Sequence, residues 1–243
     1  MNTMARACLV TAALFVCVGL FGCKREPEPI ASPTPAADTA TNIPSPAAGE
    51  QLDTESGLAI KRGIVTVADG ARRYRACGGD ADWTLLDQSE GLLDRVYGEL
   101  GGKALYIEAY GERSAAAAGA KPSFALEELL YASSEDPTAA CSAPPTNFEL
   151  LALGNDPTWS IEITPDSMIL RQHDAPTEIT FTEVDTSDTE GTVTYRAGVD
   201  KHVLELTVTQ HACQDSGTGT YYGYSASVKF DKQTFNGCAR IGG

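Results

Sequence analysis

The residue types that could do chemistry in this chain are cysteine, histidine and carboxylate, and their spacing removes most of the options. His211, Cys213 and Asp215 sit close together, a set with the types for metal ligation or for a Cys/His nucleophile. No cysteine pair has the C-x-x-C spacing of a zinc site and the three histidines are scattered, so a structural histidine beside a disulfide-bonded cysteine is the preferred reading. Asp185, Asp188 and Glu190 offer hard oxygen ligands, but they lack the alternating aspartates and glycine of a calcium loop and read as a solvated hairpin turn. Gly223-Tyr224-Ser225-Ala226-Ser227 lacks the last glycine of a nucleophile elbow and falls within an expected strand. Asn155-Asp156-Pro157 is first a turn and Trp159 first a core residue, although the group has the makings of a binding loop. Tyr221, Tyr222 and Tyr224 complete a candidate binding surface with Asn155, Asp156 and Trp159, because tyrosine is enriched at interfaces. No catalytic residue, metal site or cofactor is expected, and the chain is read as a non-enzyme.

Cys23 carries a different chemistry. An apolar run from Ala7 to Gly22 follows the single charge of Arg6 and ends at Lys24-Arg25-Glu26-Pro27, the layout of a cleaved secretory leader. The run is shorter than the roughly 20 residues that a spanning helix needs. Leu20-Phe21-Gly22-Cys23 resembles the lipobox of bacterial lipoproteins. That resemblance implies a signal peptide of residues 1–22, cleavage before Cys23 and acylation of Cys23, palmitate included. Lys24 stands where an aspartate favours inner-membrane retention in enterobacterial lipoproteins, so the analogy implies the outer membrane, on its periplasmic face.

Of seven cysteines, Cys8 and Cys17 leave with the leader and Cys23 takes lipid, which leaves Cys77, Cys141, Cys213 and Cys238. In an oxidising compartment these four read as two disulfides, with three possible connectivities. A formal net charge of −15 argues against nucleic acid and against a basic face on anionic lipid. Cationic partners would be attracted, although acidity also serves solubility.

The chain beyond the leader must position these residues. Residues 23–56 hold Pro27, Pro29, Pro33, Pro35, Pro44 and Pro46 in Ala/Thr/Ser-rich filler and read as a disordered tether. Residues 57–141 pattern as three strands, a helix and two strands, the order of an OB-fold. Asp69-Gly70 marks a hairpin. Ser89 offers an N-cap to a helix with Leu92, Leu93, Val96, Tyr97 and Leu100 on one face, and Gly101-Gly102 stops it. Residues 146–243 pattern as nearly all β, with strands expected at 148–153, 159–164, 168–173, 178–183, 192–196, 203–210 and 222–230. The expected fold is therefore mainly β: an OB-fold of five strands and one helix, then a small antiparallel β-barrel or two-sheet domain. Pairing within each domain favours Cys77 with Cys141 and Cys213 with Cys238.

Two further resemblances accompany this reading. Gly63-x-Val65, Tyr74-x-x-Cys77-Gly78, the leucine-rich helix and Leu105-Tyr106-Ile107-Glu108-x-x-Gly111 look like the C-terminal OB domain of NlpE-type envelope lipoproteins. The likeness implies that fold and a lipoprotein setting; this chain has no C-x-x-C, and no functional residue is carried over. Gly154-Asn155-Asp156-Pro157-x-Trp159, Cys213-Gln214-Asp215-Ser216-Gly217 and Gly237-Cys238-Ala239-Arg240 resemble membrane-associated lipoproteins related in style to META/HslJ-like domains, which supports a Cys213–Cys238 bridge. Together these expectations describe a lipid-anchored outer-membrane protein with a non-enzymatic binding or sensing role in envelope homeostasis and an envelope protein as partner. The alternative is an inhibitor of a lysozyme or protease, for which an acidic surface suits a basic enzyme.

Overall fold

The computed structural model describes residues 59–115, 121–173 and 177–242. Cys23, the leader, the tether and the expected turn at Asp174-Ala175-Pro176 lie outside the described residues. All the described residues belong to one compact unit, Leu52–Gly243, which holds two sheets with separate cores.

The first sheet is built from β1 (Lys61–Ala68), β2 (Ala71–Ala76), β3 (Trp83–Asp87), β4 (Leu105–Ser114) and β5 (Ser123–Ser133), with helix α1 (Leu92–Glu99) between β3 and β4. Asp69 and Gly70 both adopt positive φ, as a two-residue hairpin turn requires, and set the β1–β2 register at Ala68↔Ala71. β1 pairs with β2 and β4, β2 with β3, β4 with β5, and β5 closes the ring by running parallel to β3 from Thr84↔Ser123 to Asp87↔Leu126. This is a closed five-stranded OB barrel. Val65, Tyr74, Leu105, Ile107, Phe124 and Leu126 fill it, while Leu93 and Val96 of α1 join the same core. The Tyr74 and Phe124 rings stack at 4.1 Å, and Gly63 leaves the room: a Cβ there would meet Tyr74 Cε2 at 2.2 Å.

The helix begins later than its pattern suggests. Glu90 and Gly91 are both in the left-handed region, so the chain turns once more and Gly91 takes the N-cap position. Ser89 Oγ still accepts the Leu93 N–H at 3.2 Å. A second helix that hydrophobic patterning did not reveal, α2 (Pro137–Ser142), starts at Asp136, whose carboxylate accepts the Ala139 N–H at 3.0 Å ahead of a proline in the first turn. Arg62 Nη2 donates to the carbonyls of Ala140 and Ala143, both at 3.0 Å, and Cys77–Cys141 ties α2 to the end of β2 with Cα atoms 5.0 Å apart.

The second sheet has nine strands: β6 (Leu150–Asn155), β7 (Thr158–Thr164), β8 (Ser167–Gln172), β9 (Thr177–Phe181), β10 (Val184–Thr189), β11 (Thr192–Val199), β12 (His202–Thr209), β15 (Tyr224–Phe230) and β16 (Gln233–Ile241). Their spatial order, β10-β11-β12-β15-β16-β6-β7-β8-β9, is antiparallel throughout and curls into a nearly closed barrel whose two edges, β9 and β10, are consecutive in the chain. Trp159, Ile161, Met168, Leu170, Phe181, Leu204, Leu206 and Val228 form its core.

Two of these strands were not expected. β10 has one apolar residue, Val184, followed by five exposed polar ones, so it carries no inward pattern to read and forms by pairing with β11 alone. β16 contains Asn236-Gly237, a turn signal in isolation; here Gly237 is required because a Cβ would lie 1.9 Å from the Leu153 carbonyl oxygen. The expected strand at 222–230 is also interrupted. Gly223 divides β14 (Tyr221–Tyr222) from β15. β14 and its short partner β13 (Cys213–Gln214) leave the second sheet and join the first, with Tyr221↔Ala132 and Tyr222↔Tyr131.

Candidate functional site

The excursion of β13 and β14 creates the junction between the barrels. β3 pairs only with the first part of β5, so the edge of residues 130–132 stays open until β14 covers it, and Gly223 N donates to Leu130 O at 2.8 Å. Cys213–Cys238 returns the excursion to β16, with Cα atoms 5.5 Å apart. Both disulfides thus match the pairing favoured within each expected domain.

A polar cluster reinforces the junction. Arg240, from β16, places Nη1 3.4 Å from Glu108 Oε1 on β4; the Glu108 side chain is buried and that of Arg240 partly so. Its guanidinium lies over the Tyr131 ring at 4.6 Å and the Phe148 ring at 5.2 Å. Glu108 Oε1 also accepts the Tyr106 hydroxyl at 2.7 Å, and Tyr106 in turn accepts from Arg62 Nε at 2.7 Å. Burial, and then the neighbouring Glu108 carboxylate, hold the Tyr106 hydroxyl far above its ordinary range. These contacts run from one barrel into the other and act as a brace.

The residues expected to form a binding surface divide sharply. Trp159 is 1% exposed, packed against Phe235 at 6.2 Å, with an indole N–H that has no hydrogen-bond partner among the described residues. Tyr221 and Tyr222 are both 7% exposed; Tyr222 packs edge-on against Tyr131 at 5.2 Å, and burial drives its hydroxyl well upward. These three are interior residues, because β7 turns Trp159 inward and β14 is covered by the first barrel. Tyr224 is half-buried, its hydroxyl pushed up to about 12 by burial and then by Glu128. Asp156 is exposed at the β6–β7 turn. Asn155 donates from Nδ2 to Asp215 Oδ2. Asp215 Oδ1 accepts the Gly217 N–H at 3.0 Å, the Thr218 N–H at 2.8 Å and the Thr218 hydroxyl at 3.0 Å. Burial alone would raise the Asp215 carboxyl, but the bonds from Thr218, Asn155 and Gly217 outweigh it and the net displacement is downward. Asn155 is therefore a strut of the 215–220 loop.

The remaining candidates do not assemble into a site. Cys213 is disulfide-bonded and His211 is exposed. Asp185 and Asp188 lie on β10, with Glu190 in the turn after it, and Ser225 and Ser227 are paired within β15. No group of three or more His, Cys, Asp or Glu among the described residues could hold a metal ion.

Beside the junction lies a cleft of about 500 Å³, bounded by the start of α1, by β5 and by residues 210–212. Its volume is that of a small-molecule site, and domain junctions are where such sites concentrate. Ser89, Glu90, Arg95, Glu128, Gln210, His211 and Tyr221 supply its polar lining, with Glu90 and Arg95 exposed at the mouth. Gln210 Nε2 donates to Glu128 Oε1 at 2.8 Å, which links the two barrels across the cleft. The Arg95 side chain makes no hydrogen bond or ion pair with a described residue. Burial raises the Tyr221 hydroxyl, while Arg95 pulls it down and Glu128 pushes it up, so a cation and an anion both act on this one floor residue. A second hollow of about 530 Å³ lies along β10, β11 and β12, where the one lining cation, Arg196, is already held by Glu205 at 2.7 Å and the remaining charges, Glu183 and Asp185, are acidic.

Patterning named Tyr221 and His211 but missed Arg95, Glu128 and Gln210. The last three come from α1, β5 and the end of β12, and nothing local marks them as neighbours. No family model, curated protein or solved structure matches the chain.

Proposed function

We propose that this chain is a lipid-anchored envelope protein whose paired barrels serve as a non-enzymatic binding or sensing module, held at the periplasmic face of the outer membrane through Cys23. The observation that carries the binding role is the junction cleft, where Arg95, Glu128 and His211 face a space large enough for a ligand. The compartment is supported by two disulfides that use all four cysteines downstream of Cys23, since such bonds persist where the environment is oxidising. The leader and the Leu20-Phe21-Gly22-Cys23 sequence support the anchor. NlpE-like and META/HslJ-like kinship fits this setting. An envelope protein is the partner in this reading.

The test is in-cell crosslinking of the full chain followed by mass spectrometry, together with palmitate labelling and membrane fractionation of the wild type and Cys23→Ala. Labelled, membrane-bound wild type and an unlabelled, soluble variant are expected, with a recurring envelope partner in the crosslinks. Wild type that takes no label, or crosslinks that yield no recurring species, would overturn the corresponding half. A second reading, inhibition of a lysozyme or protease, draws on the acidic second half of the chain, where residues 143–243 hold 14 acidic and six basic side chains. Loss of lysozyme activity on adding the purified chain is its signature.

A further inference from the structure

The junction cleft holds charges of both signs, Arg95 with Glu90 and Glu128, and no ion pair joins Arg95 to either carboxylate. Arg95, exposed at the end of the first turn of α1, has a guanidinium without a described partner, although carboxylates abound in this chain. Glu128, half-buried on β5, spends Oε1 on Gln210. Both groups line the cleft and both act on the Tyr221 hydroxyl at its floor, so they share one neighbour. No ion pair joins them. Opposite charges that line one cleft without pairing are matched together by a ligand that carries both signs. A purely anionic ligand would meet Glu128, and a purely cationic one would meet Arg95.

From this we propose that the cleft binds a small zwitterion of the amino-acid or short-peptide class, its carboxylate on Arg95 and its ammonium on Glu128. Arginine presents the planar fork that suits a carboxylate, and an ionised carboxylate accepts from an ammonium. His211, exposed at the rim, adds a ring nitrogen within the same lining, and the apolar stem of Leu92 with the Tyr221 ring supplies the surface on which the ligand backbone rests. The inference rests on the binding reading above and specifies what that site takes.

Calorimetric titration of the full chain with alanine, dialanine and trialanine tests it. At least one of the three is expected to bind, and its C-terminal amide and N-acetyl forms are each expected to bind about tenfold or more weakly, the loss that fits one charge-assisted hydrogen bond. Arg95→Ala should abolish the difference between the free acid and the amide, and Glu128→Gln the difference between the free and acetylated amine. Far-ultraviolet circular dichroism confirms that each variant keeps its fold. If none of the three binds in the millimolar range, if capping either end leaves affinity unchanged, or if the two substitutions fail to separate the two ends, the zwitterion site is wrong. A recurring crosslinked partner in that event would leave the binding role standing, whereas peptide binding without a crosslinked protein would overturn only the protein partner.

Discussion

The two barrels solve the same problem differently. In the first, β5 meets β3 in parallel and the ring closes, so each strand of it has a partner on both sides over at least part of its length. In the second, β9 and β10 end the sheet and do not pair with each other. Closure in the first depends on strand length and a helix: β5 is 11 residues long, enough to pair fully with β4 and still reach β3, and α1 packs into the core. The second leaves an edge and coats it with Asp185, Thr186, Ser187, Asp188 and Thr189, polar groups that discourage pairing with another chain. The difference teaches that closure need not be local: the open sheet gives up β13 and β14 to cover the unpaired end of the closed one, and the loan binds the two into one unit.

The largest predicted effect concerns that join. Arg240→Ala leaves Glu108 buried without its cation and is expected to cost about 3–5 kcal/mol. Because the brace spans both barrels, it should also split one unfolding transition into two. Fluorescence reads this directly, since the two tryptophans lie one in each barrel, Trp83 in β3 and Trp159 in β7. A single coincident transition in Arg240→Ala would mean the barrels do not depend on the brace.

Disulfide removal sharpens the contrast. Loop entropy assigns about 4 kcal/mol to Cys77–Cys141, with a sequence separation of 64, and about 3.5 kcal/mol to Cys213–Cys238, with one of 25. The Cys77→Ala/Cys141→Ala pair should lower the midpoint of the Trp83 signal first, and Cys213→Ala/Cys238→Ala that of Trp159. Denaturant titrations compare them, and the reverse assignment would break the comparison.

A smaller effect is expected at Asp215. Removing a carboxylate that accepts four hydrogen bonds should cost about 1.5–3 kcal/mol in Asp215→Ala. Its folded-state value is lowered, so its contribution is complete above the ordinary carboxylate range and is lost as pH falls through that lowered value. The variant should therefore show a flatter stability profile on the acid side, measured by urea midpoints down the pH scale. The smallest change in stability is predicted for the open edge: Asp185→Val with Asp188→Val should shift stability by no more than about 0.5 kcal/mol yet promote aggregation, which light scattering detects.

Particular residues explain how far the sequence could be read. The first barrel was legible because Ile60 to Ala68 alternates, Asp69-Gly70 turns, and the α1 leucines repeat at helical spacing; each signal is local. β10 was not, since an edge strand with no buried face has no period. β16 was not, since Asn236-Gly237 reads as a turn until Leu153 is seen to pack against it. The candidate site fared worst. Trp159, Tyr221 and Tyr222 have the residue types of a contact surface, but burial depends on which strand lies over them. Arg95, Glu128 and Gln210 carried no signal, because their proximity depends on the excursion that begins after Gln210.

By itself, then, the sequence determined the element order of the first barrel, the mainly β class and the favoured disulfide pairing, all of which rest on short-range periodicity and on cysteine number. Tertiary structure alone decided that Gly223 divides a strand between two sheets, that Glu108 finds Arg240, and that a cleft opens between α1 and the end of β12. These depend on pairing between strands distant in the chain, which no local pattern encodes, and on the side chains that such pairing brings together.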